Sequence, residues 1–216
     1  GLIDPDEDGG VDIRLSGLGG FRIVFRSDTA ATLPLRLENV DPRIATLPGE
    51  RSRDGLVRHL EVPIEAGRTE LQADLPDAVC AGTVRLAAAG DVQTNPLQFR
   101  RVVEALHAES EAAEAAGEPL LGLIVLGDLS EYSGEDELRQ VRDIARLSPL
   151  PVAVVPGNHD VYDSADAVYN RVFGPGNHAF TTCGVRMALL DTGSGFLADS
   201  IRGRLPELLE DPDARH

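Results

Sequence analysis

The sequence predicts an α/β chain in two parts. A small antiparallel β domain spans residues 11–80, and a second part at 83–216 opens with a β-α-β-α-β unit of parallel strands that ends at Val155. Three observations predict this. Between 11 and 80, apolar and polar residues alternate with period two, the mark of strands with one buried face. Near residue 83 the pattern changes to short apolar runs separated by amphipathic stretches of helical length. Each of those runs then stops at a glycine followed at once by Asp or Asn: Gly90-Asp91, Gly127-Asp128 and Gly157-Asn158.

Residues 1–10 are acidic and turn-rich and are expected to form a flexible lead-in. Asp4, Asp6 and Asp8 alternate as in a calcium loop, but the remaining ligand spacing fails. Val11, Ile13 and Leu15 begin the period-two pattern. Phe21/Ile23/Phe25, Leu33/Leu35/Leu37, Leu60/Val62/Ile64 and Leu71/Ala73/Leu75 continue it. Gly17-Leu-Gly-Gly20, Asp41-Pro42, Pro48-Gly49 and Ala66-Gly67 separate the runs as turns. The glycines at 17, 19 and 20 are not followed by a helical pattern, so they do not read as a nucleotide loop. His59 falls on a strand as a surface residue.

The run Thr83–Ala89 is the first strand of the second part. Pro96 starts a helix in its first turn, with Leu97, Val102, Val103 and Leu106 as the core stripe and His107 exposed. Leu120–Leu126 is the next strand. A second helix carries Leu138, Val141, Ile144, Ala145 and Leu147 on one side and closes at Pro149. Val152–Val155 is the third strand. Residues 168–180 read as a loop, Ala179–Thr182 and Val185–Leu190 as a hairpin around Cys183-Gly184, Leu205–Leu209 as a last helix, and Asp211–His216 as a polar end.

Hydrophobic residues make up 42% and charged residues 26%, which supplies enough apolar material for a core. The net charge of −16 excludes bulk binding to phosphate backbones and requires bound cations wherever phosphate esters are handled. No apolar run approaches a membrane span. No cleavable signal is read, and Gly1 in place of Met suits a processed start. Export and cytoplasmic residence both fit, with export preferred. Cys80 and Cys183 lack CxxC spacing and are expected as buried free thiols, unless the fold brings them together.

In a parallel sheet the three strand ends lie side by side, and ligands bind outside such ends. Glycine ahead of each Asp or Asn permits tight turning. The motifs Gly90-Asp91-x-Gln93, Gly127-Asp128-x-x-Glu131 and Gly157-Asn158-His159-Asp160 therefore converge. Their carboxylates and amides suit hard divalent cations. Asp128, on the middle strand, is placed to bridge two ions.

On these three motifs the chain resembles the calcineurin-like metallophosphoesterase superfamily over residues 83–216. Tyr169, Phe173-Gly174-Pro175, Phe180 and Leu190-Asp191 support the likeness. The resemblance implies the N-terminal part of a metallophosphoesterase α/β sandwich, preceded by the β domain. It implies metal-dependent hydrolysis of phosphate esters, as a phosphatase or phosphodiesterase, by a metal-bound hydroxide. Two divalent ions of the manganese, iron, zinc or magnesium type would be held by Asp91, Gln93, Asp128 and Asn158. His159 would protonate the leaving group or stabilise the transition state, and Asp160 would orient His159. Gln93 replaces the family's usual histidine. The family's later histidines, ending in Gly-His-x-His, are not found, and His178 comes too early to be one. The chain is thus expected to be either a fragment of the hydrolase or an inactive, metallophosphoesterase-like binding protein.

Two other enzyme classes share single motifs. Leu190-Asp191-Thr192-Gly193-Ser194 matches the catalytic turn of aspartic proteases, which need two such aspartates; the chain has one. Asp91-Val-Gln-Thr94 approaches the haloacid-dehalogenase pattern Asp-x-Asp-x-Thr but lacks the second Asp.

Overall fold

The computed structural model describes residues 1–5, 9–162 and 166–210. Asp6 and Asp8 of the acidic lead-in and the polar end at 211–216 lie outside the described residues. Strands β1 (Leu2–Pro5), β2 (Val11–Arg14), β4 (Ala31–Glu38), β5 (Glu50–Asp54) and β6 (Val57–Ile64) form one sheet in the order β1-β2-β4-β6-β5. Strands β3 (Phe21–Ser27) and β7 (Gly67–Ala73) form a separate antiparallel pair. Period two is strictest in β6, where Arg58, Leu60, Val62 and Ile64 are buried and His59, Glu61 and Pro63 are exposed. Leu35, Leu37, Leu60, Val62 and Leu71 fill the core, and Ile23 and Phe25 of β3 pack against it.

Two features differ from the sequence expectation. Leu2–Pro5 of the supposed lead-in is an edge strand, paired antiparallel with β2 from Leu2↔Arg14 to Pro5↔Val11. Pro5 is tolerated there because an edge strand has a side that needs no ladder donor. The sheet is also mixed rather than antiparallel, since β2 and β4 run parallel. The chain leaves β2 through Gly17–Gly20, spends β3 in the other pair, and returns beside β2 in the same direction.

In the second part, β8 (Arg85–Ala89), β9 (Leu120–Leu126) and β10 (Val152–Val155) form a parallel sheet in the order β10-β9-β8. Helices α1 (Pro96–Ala115) and α2 (Glu135–Ala145) make the crossovers. Asn95 caps α1, its side chain accepting from the Gln98 amide at 3.0 Å, and Pro96 fills the first turn. The buried stripe of α1 is Phe99, Val103, Leu106 and Ala113. Leu97 and Val102, expected in that stripe, are exposed, because Phe99 and Val103 at i, i+4 set the face and Leu97 falls outside it. On α2, Leu138, Val141 and Ala145 are buried, and Leu147, past the helix end, is exposed. Val103 and Leu138 have no exposed surface, and burying such a side chain stabilises by roughly 1.5–3 kcal/mol.

Helix α3 (Asp166–Phe173) replaces the expected loop; it ends at Gly174, whose φ is +88°, and buries Tyr169, Val172 and Phe173. The hairpin is β11 (His178–Thr182) and β12 (Val185–Leu189), followed by the short helices α4 (Asp199–Arg202) and α5 (Leu205–Leu209). Both faces of the parallel sheet are covered. Leu123, Val125, Val152 and Val154 face the helices. Ala153 and Val155 face Phe180 and Leu189 of the hairpin and Leu18 from the first part.

The two parts are tied together by polar and covalent links. Arg146 donates to both carboxylate oxygens of Glu38, from Nη2 at 2.7 and 2.9 Å. Arg43 Nη1 donates to the Leu120 carbonyl at 3.2 Å. Cys80 and Cys183 form a disulfide with their Cα atoms 4.9 Å apart, which corrects the expectation of free thiols. The Cys183-Gly184 turn carries one sulfur to the short 3-10 turn Asp77–Cys80, a proximity that no local pattern encodes. Among the described residues, no helix is long and apolar enough to cross a membrane.

Candidate metal centre

Each strand of the parallel sheet exits through a tight turn, and the three turns are stitched to one another. After β8 and β9 the acidic residues adopt left-handed backbone, with φ +55° at Asp91 and +54° at Asp128. Non-glycine residues in this region carry a cost of order 1 kcal/mol and concentrate at functional sites. The Asp91 amide donates to the Gly127 carbonyl at 3.3 Å. The amides of Val92 and Gln93 both donate to the Asp128 carbonyl, at 3.0 and 2.9 Å. The first motif is thereby fixed against the second.

The second motif is fixed against the third by close backbone approach. A Cβ on Gly127 would lie 2.7 Å from the Gly157 Cα, and one on Gly157 would lie 2.1 Å from Asp128 Oδ1. Neither position admits a side chain without displacing the turn. Asp128 Oδ1 accepts from the His159 amide at 3.2 Å.

Asp160 is fully buried and has a different task from the one expected. Its carboxylate accepts from the Leu129 amide at 2.8 Å, the Ser130 amide at 2.7 Å, Ser130 Oγ at 3.0 Å and the Gly157 amide at 2.9 Å. It therefore clamps the exit of β9 to the exit of β10. Burial raises its pKa, and the four donors work against that rise. The His159 ring is oriented instead by the Glu131 carbonyl, 3.0 Å from Nδ1. That bond makes Nδ1 the protonated nitrogen. It is also the main cause of a raised imidazole pKa; burial opposes the rise, and the negative charges of Asp128, Glu131 and Asp160 add to it.

Asp128 and Asn158 line a cleft of about 500 Å³ with Pro156, Gly157, Thr192 and Gly193. Asn158 and Asp91 are exposed, and the Asp91 side chain is not among the residues that line this cleft. Gln93 is half-buried, and its Oε1 is buried without a hydrogen-bond partner. Such an orphaned acceptor calls for a donor or a cation. The donor set is two carboxylates and two carboxamides, all oxygen, which fits a hard divalent cation. Among the described residues, no group of three or more His, Cys, Asp or Glu could hold a metal ion. Any ion here would therefore depend on the amides of Gln93 and Asn158.

Three contributors were not singled out from sequence. Ser133, with φ +57°, donates to the His159 carbonyl at 2.9 Å and accepts from the Tyr162 amide at 2.8 Å. Ser130 supports Asp160, as described. Tyr162 lies edge-on to His159, with ring centroids 5.1 Å apart and its hydroxyl 3.4 Å from each imidazole nitrogen. For Ser130 and Ser133 the signal available was the polar stretch Ser130-Glu131-Tyr132-Ser133 shortly after Gly127-Asp128; Tyr162 follows the third motif. Asp191 forms a local turn: its Oδ1 accepts from the Gly193 amide at 2.9 Å, and burial raises its pKa. A Cβ on Gly193 would lie 2.6 Å from the Gly157 carbonyl, so the Asp-Thr-Gly segment is a wall of the same cleft.

A search of curated proteins finds no match. The family model of the calcineurin-like phosphoesterases matches residues 84–206, more than half of the chain and all three strand-end motifs. The chain belongs to the calcineurin-like phosphoesterase family.

Proposed function

We propose that this chain hydrolyses phosphate esters with the help of divalent metal ions bound at the three strand ends. The observation that carries the reading is the Asp128 group. Its carbonyl accepts from the first motif and its carboxylate from the third, which puts one acidic residue at the meeting point of all three. Asp91, Gln93, Asp128 and Asn158 would hold two ions, with Asp128 shared. When bound, the ions supply an activated water and offset negative charge at phosphorus. His159, oriented by the Glu131 carbonyl, would hold or deliver a proton at Nε2 toward the departing oxygen. Asp160 keeps the turns in register and acts on the ions only through that scaffold.

The same reading takes residues 83–216 as the first part of the family's α/β sandwich, preceded by a β domain at 11–80. The separate apolar clusters of the two parts support the division. The Cys80–Cys183 disulfide supports export to an oxidising compartment. The substrate would be a phosphate ester, and the acidic surface speaks against nucleic acid as a bulk partner.

A second reading, a metallophosphoesterase-like binding protein without turnover, is favoured by one observation. The described residues offer only two carboxylates at the centre and no cluster of three acidic, His or Cys ligands. Elemental analysis of Mn²⁺ after dialysis, on the native chain and on Asp128→Ala, tests the metal assignment. About two ions retained by the native chain and none by the variant is the expected result. A native chain that retains none is not a competent enzyme by itself.

A further inference from the structure

Four arginines meet where the first part of the chain packs on α2. Arg14 ends β2, Arg36 lies on β4, and Arg142 and Arg146 stand one helical turn apart at the end of α2. Arg14, Arg142 and Arg146 line a cavity of about 140 Å³, together with Glu38, Asp4 and Asp12. In a chain of net charge −16, such a concentration of guanidiniums at one internal seam needs a physical account.

The carboxylates of this cluster are already engaged elsewhere. Glu38 accepts from Arg146 at 2.7, 2.9 and 3.2 Å, and also from Arg36. Asp12 accepts from Arg36 at 3.2 Å, and Asp4 is exposed. Arg14 reaches Glu38 only at 3.7 Å, and Arg142 reaches the exposed Asp143 only at 3.5 Å. Arg142 Nε is buried without a hydrogen-bond partner. The Arg14 side chain is only 7% exposed, and among the described residues its guanidinium has no hydrogen-bond acceptor; the Phe173 ring lies 6.0 Å from its Cζ. Buried donors without acceptors are costly, and more so when they carry charge. Burial is the main reason that the pKa of Arg14 is lowered to about 10; Glu38 opposes this, and the charges of Arg146 and Arg142 add to it.

We propose that this cavity binds a tetrahedral oxyanion, inorganic phosphate or sulfate, between the guanidiniums of Arg14 and Arg142. At roughly 30 Å³ per water, the cavity holds about four waters or one such anion. Guanidinium forks match the edges of an oxyanion with parallel N–H donors, which a lysine cannot do. Two negative charges also offset the mutual repulsion of Arg14, Arg142 and Arg146. The anion ties β2 to α2, and so the first part of the chain to the second. None of Asp91, Gln93, Asp128 and Asn158 lines this cavity, so the site is separate from the strand ends and does not rest on the phosphoesterase reading.

The test is calorimetric titration and thermal melting of the native chain, Asp128→Ala and Arg142→Gln with sodium phosphate, sulfate or acetate, at an ionic strength held constant with sodium chloride. Phosphate at about a hundred times its Kd should raise the native melting temperature by about 5–10 °C. Sulfate should act alike. Asp128→Ala should bind phosphate as the native chain does, because that substitution touches only the strand ends. Arg142→Gln should bind it at least about tenfold more weakly. Without phosphate, this variant should melt no lower than the native chain, since it loses an orphaned donor and a like-charge neighbour of Arg146. A native chain whose melting temperature ignores phosphate has only water in the cavity, and overturns the proposal. Loss of binding in Asp128→Ala would move the anion to the strand ends and overturn it too. An equal response to acetate refutes the tetrahedral site. An Arg142→Gln protein that melts lower yet keeps the native response to phosphate makes Arg142 a support of the fold alone, and also overturns the proposal.

Discussion

The side chain of Asn39 pairs with the backbone of Val152 as a neighbouring strand would. Its Oδ1 accepts from the Val152 amide at 2.8 Å, and its Nδ2 donates to the Val152 carbonyl at 3.1 Å. The same Nδ2 donates to the Leu15 carbonyl at 2.8 Å. Asn39 is buried, with φ +66°, a conformation that Asn tolerates better than most residues. One amide thus closes the edge of β10, the strand that carries Asn158 and His159, and joins it to the first part of the chain.

Asn39→Ala should accordingly destabilise the fold by about 2–4 kcal/mol, since it strands buried backbone groups of Val152 and adds left-handed strain. Asn39→Asp should be no better, because a carboxylate cannot donate to the two carbonyls. Urea unfolding of the three proteins measures this. Equal midpoints for native and Asn39→Ala would show that the edge is closed in some other way.

Asp160→Asn should be nearly as harmful as a larger change at that site. All four partners of the Asp160 carboxylate are donors, and an amide offers one acceptor oxygen and two further donors. A loss of about 2–4 kcal/mol is expected, together with weaker Mn²⁺ retention, because the β9 and β10 turns are no longer held in register. Thermal melts and metal titration should move together. Normal metal retention in a destabilised variant would confine Asp160 to the fold.

Stability should depend on acid through Glu38. Its side chain is nearly enclosed beside Arg14, Arg36 and Arg146. Burial alone would raise its pKa, but the bonds and charges of Arg146 and Arg36 outweigh burial and hold it below the usual glutamate value. A carboxyl whose folded pKa is depressed stabilises the fold fully above its unfolded value. That contribution is lost as pH falls through the folded value. Melting temperature should therefore decline below about pH 4.5, and Glu38→Gln should lower stability at pH 7 while flattening that decline. Removing one partner from a buried ion group costs about 3–5 kcal/mol. A variant whose melting temperature keeps the native slope in acid would assign the slope to other carboxyls.

Replacing both Cys80 and Cys183 by Ser should cost about 2–5 kcal/mol, since the link closes a long loop in the unfolded chain. The sequence separation is 103 residues. The native protein melted with a dithiol reductant should approach the double variant, and the reductant should not affect the variant itself. Equal melting temperatures for native and variant would show that the link adds no stability.

Local grammar made much of this structure readable. The alternation of Leu60, Val62 and Ile64 is set within one strand, and the switch to Leu120–Leu126 and Val152–Val155 marks strands buried on both faces. The glycines before Asp91, Asp128 and Asn158 mark the turns, because those turns need backbone that approaches closely. Pairings between distant residues were not readable. The sequence does not announce that β2 would lie beside β4, or that Leu2–Pro5 would find an edge. It names Asp160 but not its partners, which sit on Leu129 and Ser130 thirty residues earlier. It shows apolar residues along α1 but not that Phe99 rather than Leu97 turns inward, into a cluster shared with residues of β9, β10, α2 and α3.

The covalent link between Cys80 and Cys183 makes a ring of the chain, and Asp91, Asp128 and Asn158 all lie inside it. A single protease cut anywhere in residues 81–182 therefore releases no fragment. Both new ends stay tethered, and the three strand ends keep their high local concentration for one another. A nicked molecule can survive as one particle wherever thiols stay oxidised, and comes apart only in a reducing compartment.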